Sequence, residues 1–307
     1  MDRHLLVYPL LVFAGGSCYG ILATIVKLAY AEGFTFADVV VSQYFSGWII
    51  LGICAIVFAA LKRKSSAKVP KRRSQNLRRR ILLMLLTGAA TCSVCLLYYL
   101  SLETTPASIG VVLLFQFVWI GVILESIAER RLPSKTSLIA VGILLFGTVL
   151  AGGAIGTEVS LTATGVCAGL LSALMYAVFI YLSGHVEPGM HPVNRSFCIV
   201  SCALFVLVCV LSPGYFTDGT VVSEIWIYGA LLGLFGACLP VLLYAIGIPK
   251  ITTGAATILG SAELPVAILM SVLVLHEAVS WIQWLGVVCI FLGIAYPYLS
   301  CRERIRQ

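Results

Sequence analysis

A glutamate interrupts the stretch "ILGSAELPVAILM", residues 258 to 270, with a serine two positions before it and a proline two positions after. Glu263, Ser261 and Pro265 could together make a polar notch. It would hold a carboxylate able to exchange protons or contact a cation, a hydroxyl, and the carbonyl of Ser261, freed because Pro265 has no N–H to offer it. Lys27 in "IVKLA" could supply the opposite charge, and Gln116 with Trp119 in "LFQFVW" an amide and an indole. Tyr98, Tyr99, Tyr176 and Tyr244 could add an aromatic path for a ligand, and Pro240 could bend a second segment as Pro265 does. Other chemistries find no support. Cys92 and Cys95 form a C-x-x-C without a second pair, and "HEAVS" lacks the second histidine of a zinc protease. No G-x-x-x-x-G-K-[ST] loop is present, so the sequence implies no metal, redox or nucleotide cofactor.

What surrounds these residues decides what they can do. Of 307 residues, 60% are hydrophobic and 11% charged, against about a quarter charged in a soluble domain. Ten apolar runs are long enough to cross roughly 30 Å of hydrocarbon as helices. They lie near 5–31, 36–61, 81–102, 105–127, 136–156, 162–184, 193–212, 224–248, 252–275 and 281–300. The fold class expected is therefore an all-α polytopic membrane protein, with a lipid bilayer as its constant partner. Glu263 falls at the midpoint of the ninth run, too deep for its short side chain to reach the interface. An ionised carboxylate there costs from roughly 2.5 to over 10 kcal/mol, so it must face protein or water. It could line a cavity, or it could be protonated and hydrogen-bonded to another helix as structural glue. Lys27 has a similar choice, between facing a cavity and snorkelling to the nearby interface.

Orientation follows from lysine and arginine. The linker 62–80 holds ten basic residues and no acid, which predicts a cytoplasmic loop and, with ten crossings, cytoplasmic termini. Nineteen of the twenty basic residues then fall inside, Lys27 being the exception. The linker could also be read as a patch for nucleic acid or anionic lipid, but topology alone accounts for its charge.

The chain also repeats itself. "GSCYGILAT" from Gly16 aligns with "GVCAGLLSA" from Gly165, and "TTPAS" at 104 aligns with "TTGAA" at 252. Glu129 aligns with Glu277, and the small pair Ala140 and Gly147 with Gly286 and Gly293. Two units, 1–156 and 157–307, of five helices each are expected. Five being odd, they are inverted, a plan common among secondary transporters, with the ligand site at the repeat interface near the midplane.

With these repeats, "YYLSLETTPASIGVVLLFQFVWIGVILESIAERRLP" and "ILGSAELPVAILMSVLVLHEAVSWIQWLGVVCIFLGI" resemble the drug/metabolite transporter superfamily, and within it the ten-span EamA-type carriers. The resemblance covers nearly the whole chain. It implies a multi-pass cell-membrane carrier of a small metabolite, an amino acid or an amphiphilic compound, working as an exporter by alternating access, with protons as a possible coupling ion. It also implies a cavity lined by spans 1, 3, 4, 6, 8 and 9. Carriers of this type often have a proline near the middle of span 4, and here that region reads "LFQFVW". The alternatives from other classes are an intramembrane enzyme using Glu263 as general base and a membrane scaffold or sensor that moves nothing.

Overall fold

The computed structural model describes residues 3–64, 77–105, 107–153, 162–211 and 225–306; most of the basic linker lies outside them. The chain is an all-α polytopic membrane protein. Among the described residues nine helical stretches are long and apolar enough to cross a membrane, and Lys135–Ala151 is a shorter apolar helix at the place of the fifth span. In chain order the elements are α1 (Arg3–Ala31), α2 (Phe36–Lys64), α3 (Leu77–Thr104), α4 (Ala107–Leu114), α5 (Phe117–Glu129), α6 (Lys135–Ala151) and α7 (Ala163–His185). They continue with α8 (Pro192–Val210), α9 (Ile225–Leu232), α10 (Leu239–Gly247), α11 (Thr253–Gly260), α12 (Glu263–Leu275) and α13 (Trp281–Arg306).

Local chemistry sets several boundaries. Thr35 and Asp38 form a reciprocal cap at the start of α2, the Thr35 N–H donating to Asp38 at 2.7 Å and the Asp38 N–H to Thr35 at 3.3 Å. Ser134, Thr162 and Thr252 accept backbone N–H groups at the starts of α6, α7 and α11. Arg130 and His276 end α5 and α12 in the left-handed conformation.

Three expected spans are interrupted. Span 4 breaks between α4 and α5 at Phe115 and Gln116, and span 9 between α11 and α12 at Ser261 and Ala262. Span 8 is α9 and α10 joined by a π-helical turn, Gly233–Cys238, where the Leu239 N–H reaches back five residues to the Leu234 carbonyl. Pro240 stands two residues past the end of this turn, in the first turn of α10, so the widened turn accommodates the proline. Span 4 breaks although its centre, "LFQFVW", carries no proline and so offered no reason to expect an interruption.

Helices approach closely where the sequence is small. α1 packs on α10, α11 and α12, α3 on α7, and α6 on α13. A Cβ on Gly20 would lie 2.5 Å from the carbonyl oxygen of Glu263 and 2.8 Å from the Ala267 nitrogen, so α1 and α12 meet backbone to backbone. A Cβ on Gly147 would lie 3.0 Å from the Gly286 carbonyl, and one on Gly293 3.3 Å from the Ala140 carbonyl. The two small pairs that align in sequence therefore face each other across the α6–α13 seam.

Candidate functional site

Glu263 opens α12, immediately after the break, which puts its carboxyl beside a cavity instead of against a continuous helix wall. The phenol of Tyr176 on α7 donates to its carboxylate at 3.2 Å and lies 3.5 Å from the hydroxyl of Tyr244 on α10. Around this pair the rings of Tyr19, Phe117, Tyr176, Phe179 and Tyr244 meet edge to face, tilted or stacked, with centroids 4.4 to 6.4 Å apart.

Above Glu263 is a cavity of about 520 Å³, within the range of small-molecule sites. Its wall is aromatic and aliphatic. Tyr19 and Lys27 come from α1, Gln43 and Tyr44 from α2, Tyr98 and Tyr99 from α3, and Tyr176 and Phe179 from α7. On α12, Glu263, Ala267 and Ser271 recur every four residues and so line one vertical stripe. At the far end Lys27 donates to both carboxylate oxygens of Glu277 at 2.9 Å, and Ser271 donates to Glu277 at 2.6 Å. This pair is half exposed, 54% and 45%, and marks the mouth. The hydrogen bonds from Ser271 and Lys27 hold the Glu277 carboxyl below its ordinary range.

The opposite end is packed shut. Tyr244, Phe117, Ile180 and Ile248 are buried, and beneath them lies Arg195, 1% exposed. Its guanidinium donates to the carbonyl of Val186, which caps the end of α7, at 3.2 Å, and to the carbonyl of Ala245 near the end of α10. A cation placed on two helix C-termini satisfies their carbonyls and their dipoles together. Glu125 does the converse, accepting the N–H of Gly254 at the start of α11.

Of the residues expected at the site, the structure brings Glu263, Lys27, Tyr176, Tyr98 and Tyr99 to one cavity. Four others need correction. Gln116 donates its amide N–H to the Val112 carbonyl at 2.9 Å and accepts the indole N–H of Trp119 at 2.7 Å. Trp119 is 36% exposed on the outside of the bundle, and neither residue lines the cavity. Ser261 is buried and donates to the Ile258 carbonyl at 2.6 Å, so its hydroxyl is no part of a notch. Tyr244 is buried beneath the cavity rather than in its wall.

Gln116 and Ser261 share a different task. At the break the Gln116 N–H bonds Leu113 and the Ala262 N–H bonds Leu259, each three residues back, which leaves the carbonyls of Val112 and Ile258 without their helical donors. The side chains of Gln116 and Ser261 supply the missing donors. The sequence pointed to these residues as polar and deep; it could not say that each would be used up by its own helix.

Gln43, Glu277 and Arg195 carry the parts that sequence reasoning missed. Gln43 had a signal, an amide within the apolar run of α2. Glu277 and Lys27 are too far apart in sequence for their pairing to be read, and Arg195 looked like one of many basic residues at span ends.

Residues 163–298 match the EamA-like transporter family. An uncharacterized transporter of Synechocystis sp. (strain ATCC 27184 / PCC 6803 / Kazusa) is 24% identical over 200 residues, covering 65% of this chain. The chain spans 61% of that relative's length, less than two thirds. A protein crystal structure superposes with a TM-score of 0.69 at 17% identity, covering 95% of this chain and 98% of that one, which establishes a shared fold.

Proposed function

For a chain that belongs to the EamA-type drug/metabolite transporter superfamily, we propose secondary transport of a small molecule by alternating access, with Glu263 as the carboxylate that exchanges protons or contacts the cargo. The observation that carries this reading is the position of Glu263. It stands at the floor of a cavity open at one end and sealed at the other, on a broken helix within the bundle. A route that is open to one side and closed to the other is what an alternating carrier needs in one of its two states.

The reading includes two inverted five-helix repeats, 1–156 and 157–307, and the paired breaks support it. Phe117 and Glu263 open the second half-helices and Arg130 and His276 close them, both pairs 146 positions apart. With the termini and basic linker in the cytoplasm of a cell-membrane protein, the Lys27–Glu277 mouth faces outward and Arg195 seals the inner side. Export then means releasing cargo through the mouth.

The test is binding followed by flux. Purified protein is screened for thermal stabilisation by amino acids, nucleosides and cationic amphiphiles, because a ligand of the folded state raises its apparent stability. Stabilising compounds are then followed into liposomes, with and without a proton gradient. A compound that binds and crosses in wild type, with flux reduced in Glu263→Gln, supports the carrier. Binding without flux under any gradient overturns it.

A further inference from the structure

Among the described residues the cavity lining carries three charges, and two of them cancel. Lys27 is held by Glu277 at the mouth, which leaves the floor with one carboxylate, Glu263, and no cation beside it. The remaining polar groups of interest are neutral. Gln43 is 2% exposed and lines the same cavity, yet its amide makes no hydrogen bond with another described residue. It lies against the π-helical turn of span 8, where a Cβ on Gly236 would come 2.6 Å from its amide nitrogen. The amide of Gln43 therefore opens onto the cavity, where water or a bound molecule can pair with it.

We propose that the site takes an organic cation: a protonated amine that pairs with Glu263, carries an apolar or aromatic body against the tyrosine wall, and offers Gln43 a polar group. The proposal rests on the carrier reading and specifies its cargo. A carboxylate beneath tyrosine rings favours an ammonium by charge and through the ring faces. The same arrangement disfavours a zwitterionic amino acid. Its carboxylate would find no free cation at the floor, since Lys27 lies at the far end of the α12 stripe. From Glu263 to Ser271 alone the helix rises about 12 Å, several times the separation of charges in an amino acid. Gln43 can accept an N–H or donate to a hydroxyl or carbonyl of the cargo, which makes it a residue that sets specificity rather than charge.

Four compounds with one aromatic body and different charge test this: phenethylamine, phenylalanine, 3-phenylpropanoate and 2-phenylethanol. Binding to purified protein is measured by calorimetry near neutral pH. Phenethylamine should bind about tenfold or more tightly than phenylalanine and 2-phenylethanol, and 3-phenylpropanoate weakest, the ratio expected of a charge-assisted hydrogen bond. Glu263→Gln should bring phenethylamine and 2-phenylethanol to within about threefold of each other. Gln43→Leu should weaken 2-(4-hydroxyphenyl)ethylamine more than phenethylamine, and Gln43→Asn should recover part of that loss. Should a variant fold poorly, the wild-type series still decides. Phenylalanine or the anion binding as well as the amine, none of the four binding, or an amine preference that survives Glu263→Gln overturns the proposal. Amine binding without flux in liposomes would remove the carrier reading and leave the cation site. Flux of amino acids with the amine ignored would do the reverse.

Discussion

Glu263 is restrained by one phenol and otherwise faces space, so its chemistry depends on what enters the cavity. Glu263→Gln preserves shape and much of the hydrogen bonding but cannot release a proton. In liposomes it should abolish gradient-driven accumulation while leaving cargo exchange measurable; wild-type accumulation in this variant would exclude a coupling role. The ion pair at the mouth makes a second prediction. Being half exposed, Lys27–Glu277 should contribute only about 0.2–1 kcal/mol to stability, so Lys27→Met should leave the melting temperature almost unchanged. Its effect should be on access, seen as faster labelling of a cysteine at Tyr99 by an aqueous thiol reagent. The pH sign follows from the lowered Glu277: the pair is fully present above the ordinary glutamate range and is lost only as the pH falls through the lowered value. Labelling of wild type should therefore stay constant near neutrality and rise only in strong acid. At this scale the sequence was informative where one side chain contradicted its surroundings. A lone carboxylate in oil must be accounted for, whereas the partners of Lys27 and Arg195 exist only once distant helices meet.

The broken helices show how local bonding can replace a proline. Pro265 lies in the first turn of α12, where its missing N–H is tolerated, and span 4 breaks in the same manner with Phe115–Gln116 and no proline. Pro265→Ala should accordingly leave the break in place and transport largely intact. This reverses the expectation that proline alone bends span 9. Removing the side-chain donors should do more: Ser261→Ala orphans a buried carbonyl and Gln116→Leu a half-buried one, at a cost of about 1–3 kcal/mol read by denaturation, larger for the first. Gly20→Ala should also destabilise, by about 1–3 kcal/mol, because its methyl would meet the backbone of α12. Equal melting of Gly20→Ala and wild type would mean that α1 and α12 are further apart than described. Helix existence was legible from the length of apolar runs, and the seam of α6 with α13 from small residues at matching places. The breaks were legible where a proline stands beside them, Pro265 in span 9 and Pro240 in span 8. In span 4 nothing but a glutamine marked one, and its meaning depends on a hydrogen bond that sequence does not display.

At the scale of the whole chain the apolar runs and their order were readable, since bilayer thickness fixes how long such a run must be. Among the described residues nine are helices long enough to cross, and the fifth is a shorter one. The cavity's composition was readable only in part. The resemblance implied spans 1, 3, 4, 6, 8 and 9, and α2 adds Gln43 and Tyr44, residues that an apolar count passes over. Orientation makes the prediction proper to this scale. A reporter fused after Ser74 should lie in the cytoplasm and one after Asp218 outside; finding both on one side would sink the inverted arrangement.

The seal beneath Glu263 has an electrical consequence. If the cavity is filled with water and ions, it carries the potential of the solution at its mouth down to its floor, so little of the membrane voltage acts between the mouth and Glu263. Nearly all of it falls across the thin packed layer that runs from Tyr244 to Arg195. A cation binding at Glu263 from the mouth should then do so with an affinity independent of applied voltage. Moving that cation across the layer should be worth about 2.3 kcal/mol per charge for each 100 mV. The protein would thus gather its cargo electrically blind and feel the field only when the seal changes sides.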